Sequence, residues 1–292
     1  MNKKIIQLLL FCLPFLGVAL PAQAADHAHH LTRVSLKKHS SPRLRSTFAM
    51  IYDVQGQRPL YAKNEDTVTP IASISKLMTA MVVLDAHLPM DQEITITRAD
   101  KDRLKGSHSR MRPGTTLTRR ELLKLALMAS ENRAAAALAR TYPGGTQAAV
   151  AMMNFKAREL GMSNTHFLDP TGLNSGNVST AEDLVKMVLA AQHYRLIRDF
   201  TTSTSHMVDI DGRRPLRYIN TNPLVRNDSW DIGLSKTGYI SEAGRCLVME
   251  ATIKDRPVVI VLLDSWGKLT RVGDANRVRR WMESSLVWTT RG

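Results

Sequence analysis

The stretch PIASISKLMTAMVVLD, residues 70–85, is apolar over almost its whole length and has no polar face. A helix of that composition belongs inside a protein, with other elements packed on every side. The pattern predicts a central helix from Ser73 to Asp85. Surrounding such a helix takes a long chain. The 292 residues, 43% of them hydrophobic, suffice for one large compact domain, or one domain with an inserted lobe, without disulfide staples. One residue resists this environment: Lys76, three positions after Ser73. Residues at that spacing share a helix face, with Cβ atoms about 5 to 6 Å apart.

Burial disfavours the charged form of a lysine. A neutral amine is a base that can take the proton of a hydroxyl, which is a poor nucleophile until that happens. Ser73 and Lys76 are therefore a candidate nucleophile and base. Ser73, near the helix start, also lies close to free backbone N–H groups and the positive end of the helix dipole, where a developing oxyanion is stabilised. The spacing alone carries little weight, because Ser35 and Lys38 repeat it in a polar stretch.

The chain begins MNKKIIQLLLFCLPFLGVALPAQAAD: two lysines, an apolar run broken by Pro14 and Pro21, and a small-x-small signal at Ala22-Gln23-Ala24. This reads as a secretory signal peptide over residues 1–24, cleaved after Ala24. Cys12 follows Phe11, where a lipid-attachment site would want a small residue. Beyond the leader Cys246 is the only cysteine, so no internal disulfide can form, and its strand-like surroundings predict a buried, inert thiol. Export with a single thiol points to a bacterial periplasm. Residues 25–47 are polar, basic and aperiodic, a flexible arm. Its His27, His29 and His30 lack further ligands at metal spacing, and no HExxH occurs. The net charge of +14 suits an anionic envelope polymer. Zinc-finger spacing and aromatic RNA-binding segments are missing, which together with export argues against nucleic acid.

From residue 48 onward, FAMIYDV and GQRPLYA around a turn predict a β-hairpin. Thr118 and Glu121 stand in capping-box spacing at the head of a helix that ends near Ala129, leaving Ser130 just past its end. Helices follow in NRAAAALARTY and in GGTQAAVAMMNFKARELG, the latter stopped by Gly161. After the turn-rich DPTGLNSGN, Ser179 with Glu182 is expected to cap the helix AEDLVKMVLAAQ. From about Ser203 the texture becomes β-like in HMVDI, IGLSKTGYI, CLVMEATI and PVVIVLLDSW. A final helix places Val278, Trp281, Met282 and Leu286 on one stripe, suited to covering a sheet. Early and late strands must then join in one sheet around a helical insertion.

Three short motifs occur in order: Ser73-x-x-Lys76, Ser130-x-Asn132 and Lys236-Thr237-Gly238. A second S-x-N at Ser175-Gly176-Asn177 falls outside that order and reads as a chance likeness. With its ordered triplet the chain resembles the penicillin-recognising serine enzymes. The flanks PIASISKLMTAMVVLDAHLPMD, LALMASENRAAAALARTYPGG, GMSNTHFLDPTGL and SKTGYISEAGRCLVM resemble the low-molecular-mass serine D,D-peptidases, including their endopeptidases, from about Phe48 to Trp288. The resemblance implies an α+β fold, an α/β/α sandwich with an antiparallel sheet of about five strands, helices on both faces and a mostly helical lobe. It places the catalytic domain at residues 48–290.

The resemblance makes Ser73 the acylated nucleophile, Lys76 its base, and Ser130 the proton relay to the leaving amine. Asn132 would bind the substrate amide, and Lys236 and Thr237 the terminal carboxylate. The N–H groups of Ser73 and Tyr239 would form the oxyanion hole. Gly238 would keep a side chain from crowding substrate along the strand edge. No metal or organic cofactor is called for. No E-x-x-L-N segment lies between Ser130 and Lys236, so a β-lactam should acylate the protein and stay. The expected activity is hydrolysis of D-Ala to meso-diaminopimelate cross-links in peptidoglycan stem peptides. The alternatives are D-alanyl-D-alanine carboxypeptidase action on pentapeptides and a non-catalytic peptidoglycan-binding protein. Loose membrane association and a lytic transglycosylase partner are open expectations.

Overall fold

The computed structural model describes residues 41–210 and 215–285. The expected leader, the three arm histidines, the Ser35/Lys38 pair and Leu286 lie outside the described residues. The predicted early hairpin forms β1 (Phe48–Asp53) and β2 (Arg58–Lys63). The late β-like segments form β3 (Asp231–Ile240), β4 (Gly244–Ile253) and β5 (Arg256–Ser265). All five make one antiparallel sheet of order β2-β1-β5-β4-β3, in which Phe48 faces Leu263 and Asp53 faces Val258. The α+β architecture expected from the sequence is therefore the one observed.

The apolar run in β5 is continuous because both its faces are covered. Val259, Val261 and Leu263 point into a core shared with the helical lobe, while Val258, Ile260 and Leu262 point into a second core. That second core is closed by α7 (Thr270–Ser285), whose Val278 and Met282 are buried in it and whose Trp281 packs against its edge. The other face carries α5 (Ala181–Ala191), which packs on β1, β4 and β5, and α6 (Arg195–Thr201), which packs on β3. The helix α1 (Lys76–Asp85) is packed among α2 (Arg119–Met128), α3 (Asn132–Arg140), α4 (Gly145–Glu159), α5 and α6. Every residue of α1 from Lys76 to Val83 is buried, as its lack of a polar face requires. Among the described residues no helix is long and apolar enough to cross a membrane.

Four expectations need correction. The central α-helix begins at Lys76, and Ser73 sits in a preceding 3₁₀ turn, Ala72–Ser75, tightened by the Ser75 hydroxyl donating to the Ala72 carbonyl at 2.9 Å. The cap of α5 is Thr180, which accepts from the Asp183 N–H at 3.1 Å, one residue later than the Ser179/Glu182 register. The segment HMVDI does not join the main sheet: Ser205–Val208 pairs with Leu216–Ile219 in a separate two-stranded ribbon. Finally, the arm ends before Thr47, because Leu44 and Ser46 are already buried.

The reason for the last difference is Asp274, a fully buried carboxylate on α7. It accepts from the N–H groups of Arg45 at 3.0 Å and Ser46 at 2.7 Å and from the Ser46 hydroxyl at 2.6 Å, and it pairs with Arg277. A buried carboxylate needs such partners to offset its lost hydration. The contact joins positions 229 apart and fixes the entry into β1. Asp274→Ala leaves those donors unpaired and should lower unfolding free energy by about 3 kcal/mol. Urea denaturation reads this as a lower midpoint, and a change under about 1 kcal/mol would contradict the assigned role.

Candidate active site

The site lies where the 3₁₀ turn, the α2–α3 turn and β3 converge. The capping box of α2 forms as the sequence predicts, Thr118 accepting from the Glu121 N–H at 3.2 Å while the Glu121 carboxylate takes the Thr118 N–H at 2.9 Å. After the helix ends, Ser130 adopts φ +57°, a left-handed conformation uncommon for serine that marks a strained, positioned residue. Glu131 caps α3, so Asn132 begins that helix and faces α1.

The predicted residues assemble. Lys76 Nζ donates to Ser73 Oγ at 2.9 Å, to Asn132 Oδ1 at 2.7 Å and to the Thr171 carbonyl at 2.5 Å. Lys236 Nζ donates to Ser130 Oγ at 2.8 Å and to its neighbour's carbonyl, Thr237 O, at 2.8 Å. The Thr237 hydroxyl donates to Thr221 Oγ1 at 2.6 Å. Two serine–lysine pairs thus stand side by side. Tyr239 has an exposed ring beneath the Arg245 guanidinium, 4.4 Å from its centroid.

Both amines are fully buried, and burial is the main cause of their depressed basicity. It lowers Lys76 to about 7, against the opposing pull of Asp169, Glu131 and Asp102. It lowers Lys236 well below its ordinary value, assisted by the positive charges of Lys76 and Arg271. An amine with a pKa near 7 is poised for proton transfer at neutral pH. Burial also pushes the Cys246 thiol up to about 11, which keeps it protonated and unreactive.

Gly238 has a further reason for being glycine. A Cβ there would lie 2.9 Å from the Ile71 carbonyl and 3.1 Å from Ser73 N, so the strand presses directly on the turn that carries Ser73. From the other side Gly172 (φ +79°) approaches so closely that a Cβ would fall 2.0 Å from the Ala72 carbonyl. The turn is clamped between two backbones.

Several contributors escaped sequence reasoning. Thr171 acts through its carbonyl, held by a loop in which Asp169 accepts the N–H groups of Thr171 at 2.6 Å and Gly172 at 2.8 Å. Asn177, which falls in the out-of-order S-x-N, is buried and ties that loop to the turn carrying Ser73. Its Nδ2 donates to Ser75 Oγ at 2.9 Å and its carbonyl accepts from the Ile71 N–H at 3.0 Å. The Arg271 guanidinium, on α7, donates to the carbonyls of Gly238 at 3.0 Å and Cys246 at 3.2 Å. The turn-forming composition of DPTGLNSGN marked the loop but not its contacts.

A family model described as D-alanyl-D-alanine carboxypeptidase, peptidase S11, matches residues 35–267. The chain belongs to this family of serine peptidases. It is 47% identical to a D-alanyl-D-alanine endopeptidase of Escherichia coli K12, over 85% of this chain and 80% of that one. It is 48% identical to a D-alanyl-D-alanine endopeptidase of Pseudomonas aeruginosa, over 84% and 79% of the two chains. Among solved structures it is similar to the Streptomyces K15 DD-transpeptidase. The TM-score is 0.77 at 29% identity, covering 84% of this chain and 100% of that one.

The close approach at Gly238 gives a direct test. Gly238→Ala should cost about 1–3 kcal/mol by forcing the turn away from the strand. Denaturant unfolding of the variant checks this, and a midpoint equal to the parent's would show that the contact yields freely.

Proposed function

We propose that this protein is a periplasmic D,D-endopeptidase that hydrolyses the D-Ala to meso-diaminopimelate cross-link of peptidoglycan through an acyl-enzyme on Ser73. The observation that carries the chemistry is the fully buried Lys76 amine, pKa about 7, donating to Ser73 Oγ at 2.9 Å. The names of the two endopeptidase relatives support the choice of bond.

In this reading the neutral Lys76 amine takes the Ser73 proton as Oγ attacks the D-Ala carbonyl carbon. The oxyanion is held by the N–H groups of Ser73 and Tyr239, on the two backbones that Gly238 brings into contact. Ser130, bonded to Lys236, hands a proton to the leaving amine as the C–N bond breaks and regains one from the Lys76 ammonium, which restores the neutral base. Water then attacks the ester, Lys76 again accepting the proton, and releases the acid. An amide nitrogen carries two hydrogens, and Asn132 gives one to Ser107 at 2.9 Å; the other serves the substrate amide carbonyl. Lys236 and Thr237 bind the carboxylate of the leaving residue.

That carboxylate stands one carbon from the leaving amine in both D-Ala-D-Ala and D-Ala-diaminopimelate. The same machinery therefore serves a carboxypeptidase, the second reading, which the description of the matching family favours. Purified cross-linked muropeptide dimers should be converted to monomers faster than D-alanine is released from pentapeptide; the reverse order would select the carboxypeptidase. A fluorescent penicillin should label the parent and leave Ser73→Ala unlabelled, which a non-catalytic binding protein would not do. On fractionation of cells the protein is expected in the periplasmic fraction, and recovery from the cytoplasm would contradict export.

The pH dependence follows from the amine. Lys76 must be neutral to act as base, so labelling should rise about tenfold per pH unit below about 7 and level off above it. Lys236 must be charged to hold a carboxylate, and burial beside Lys76 and Arg271 lowers its basicity too, so a second limb should bring the rate down at a pH well below that of an ordinary lysine. A second-order labelling rate that stayed flat between about pH 5 and 7 would exclude Lys76 as the titrating base.

A further inference from the structure

Asn132 is gripped at both ends of its amide. Oδ1 accepts from Lys76 at 2.7 Å, while Nδ2 donates to Ser107 Oγ at 2.9 Å. Packing cannot tell the oxygen of an amide from its nitrogen, so its orientation is decided by its partners. Ser107 is a competent judge only if its own hydrogen is committed elsewhere. The acceptor beside it is the Asp102 carboxylate, an acceptor-only group that takes the Ser107 N–H at 2.7 Å and draws the hydroxyl hydrogen as well.

Asp102 is itself built into place. Its oxygens accept the N–H groups of Leu104 at 2.7 Å, Lys105 at 3.0 Å and Ser107 at 2.7 Å. Burial alone would raise its pKa. The bonds from the Lys105 amide, the Ser107 hydroxyl and amide, and the Leu104 amide outweigh burial and hold the carboxyl down to about 2. It is an anion throughout the working range. The same loop is moored at its far end by Arg110, which donates to the Arg217 carbonyl at 2.8 Å and lies 4.0 Å from the centre of the Tyr218 ring.

The consequence reaches the base. A neutral amine has two hydrogens and one lone pair. With Asn132 turned as observed, the two hydrogens are taken by Asn132 Oδ1 and the Thr171 carbonyl, and the lone pair is left for the Ser73 proton. With the amide reversed, an N–H of Asn132 would face the amine and occupy that lone pair.

We propose that Asp102 and Ser107 are positioning residues that lock the Asn132 amide oxygen toward Lys76 and so aim the base at Ser73. This rests on the reading of Ser73 and Lys76 as nucleophile and base. The groups facing the amine are Ser73 on the turn, Asn132 on α3 and Thr171 on its loop. The charges acting on it are those of Asp102, Asp169 and Glu131, which favour the ammonium form, and of Lys236 on β3, which opposes it.

The test is the pH profile of fluorescent-penicillin labelling in the parent, Ser107→Ala, Ser107→Thr and Asp102→Asn, alongside thermal melts. Ser107→Ala keeps the Asp102 charge, so its acid limb should stay at the parental pH while its plateau falls about tenfold, the size of one lost hydrogen bond. Ser107→Thr restores the hydroxyl and should recover the plateau. Asp102→Asn removes an anion that favours charged Lys76, so its limb should move to lower pH, with a reduced plateau. A parental plateau in Ser107→Ala, or equal losses in Ser107→Ala and Ser107→Thr, would overturn the proposal. If Ser107→Ala does not fold, a parental profile in Asp102→Asn would overturn it instead. A parent that takes no label would sink the acyl-enzyme reading and this inference with it, whereas a labelled parent matched by its variants would sink this inference alone.

Discussion

Two amines are stripped of water within one small site, and that loss of hydration holds both below their ordinary basicity. Lys76 and Lys236 are both enclosed, each donating to a serine hydroxyl, and each charge disfavours the other. Desolvated like charges cannot both persist without compensation. Lys76 has nearby acidic groups that partly offset its burial but stops near neutrality. The site thus holds the same residue type twice in one desolvated space, Lys76 beside acidic groups and Lys236 beside the positive charges of Lys76 and Arg271.

That backbone is unusually confined. The turn bearing Ser73 is pinched between Gly172 and Gly238, with Ala72 held at φ +49°. Such strain persists only where the surroundings over-determine it. Here the surroundings are the Asp169 loop on one side and, on the other, a strand whose Gly238 carbonyl is held by Arg271. Fixed N–H dipoles stabilise developing charge without having to reorganise during the reaction.

Much of this was legible beforehand because it rests on side-chain chemistry and periodicity. The apolar helix announced burial, its lysine announced a perturbed amine, and the capping box at Thr118 and Glu121 located the turn that presents Ser130. What stayed hidden is what depends on backbone atoms or on long-range contact. The Thr171 carbonyl has no signature, since every residue has one. Asn177 looked like chance because its value lies in reaching Ser75, 102 positions away. Ser107 and Arg271 carry no local pattern at all. The one-residue shift from Ser179 to Thr180 shows the same limit, because adjacent hydroxyl residues offer equal caps until tertiary packing chooses.

The Asp274 knot has a bearing on how the molecule is made. The strand second from one edge of the sheet, Phe48–Asp53, is synthesised early, yet its partner at the middle, Arg256–Ser265, and the carboxylate that secures its entry come from the far end of the chain. Pairings so distant in sequence are slow to close. An emerging polypeptide therefore has no way to complete its sheet, and the strand that backs the Ser73 turn is unpaired until nearly all of it has been released. Catalytic competence arrives in one late step, which delays any hydrolysis until the finished chain has folded.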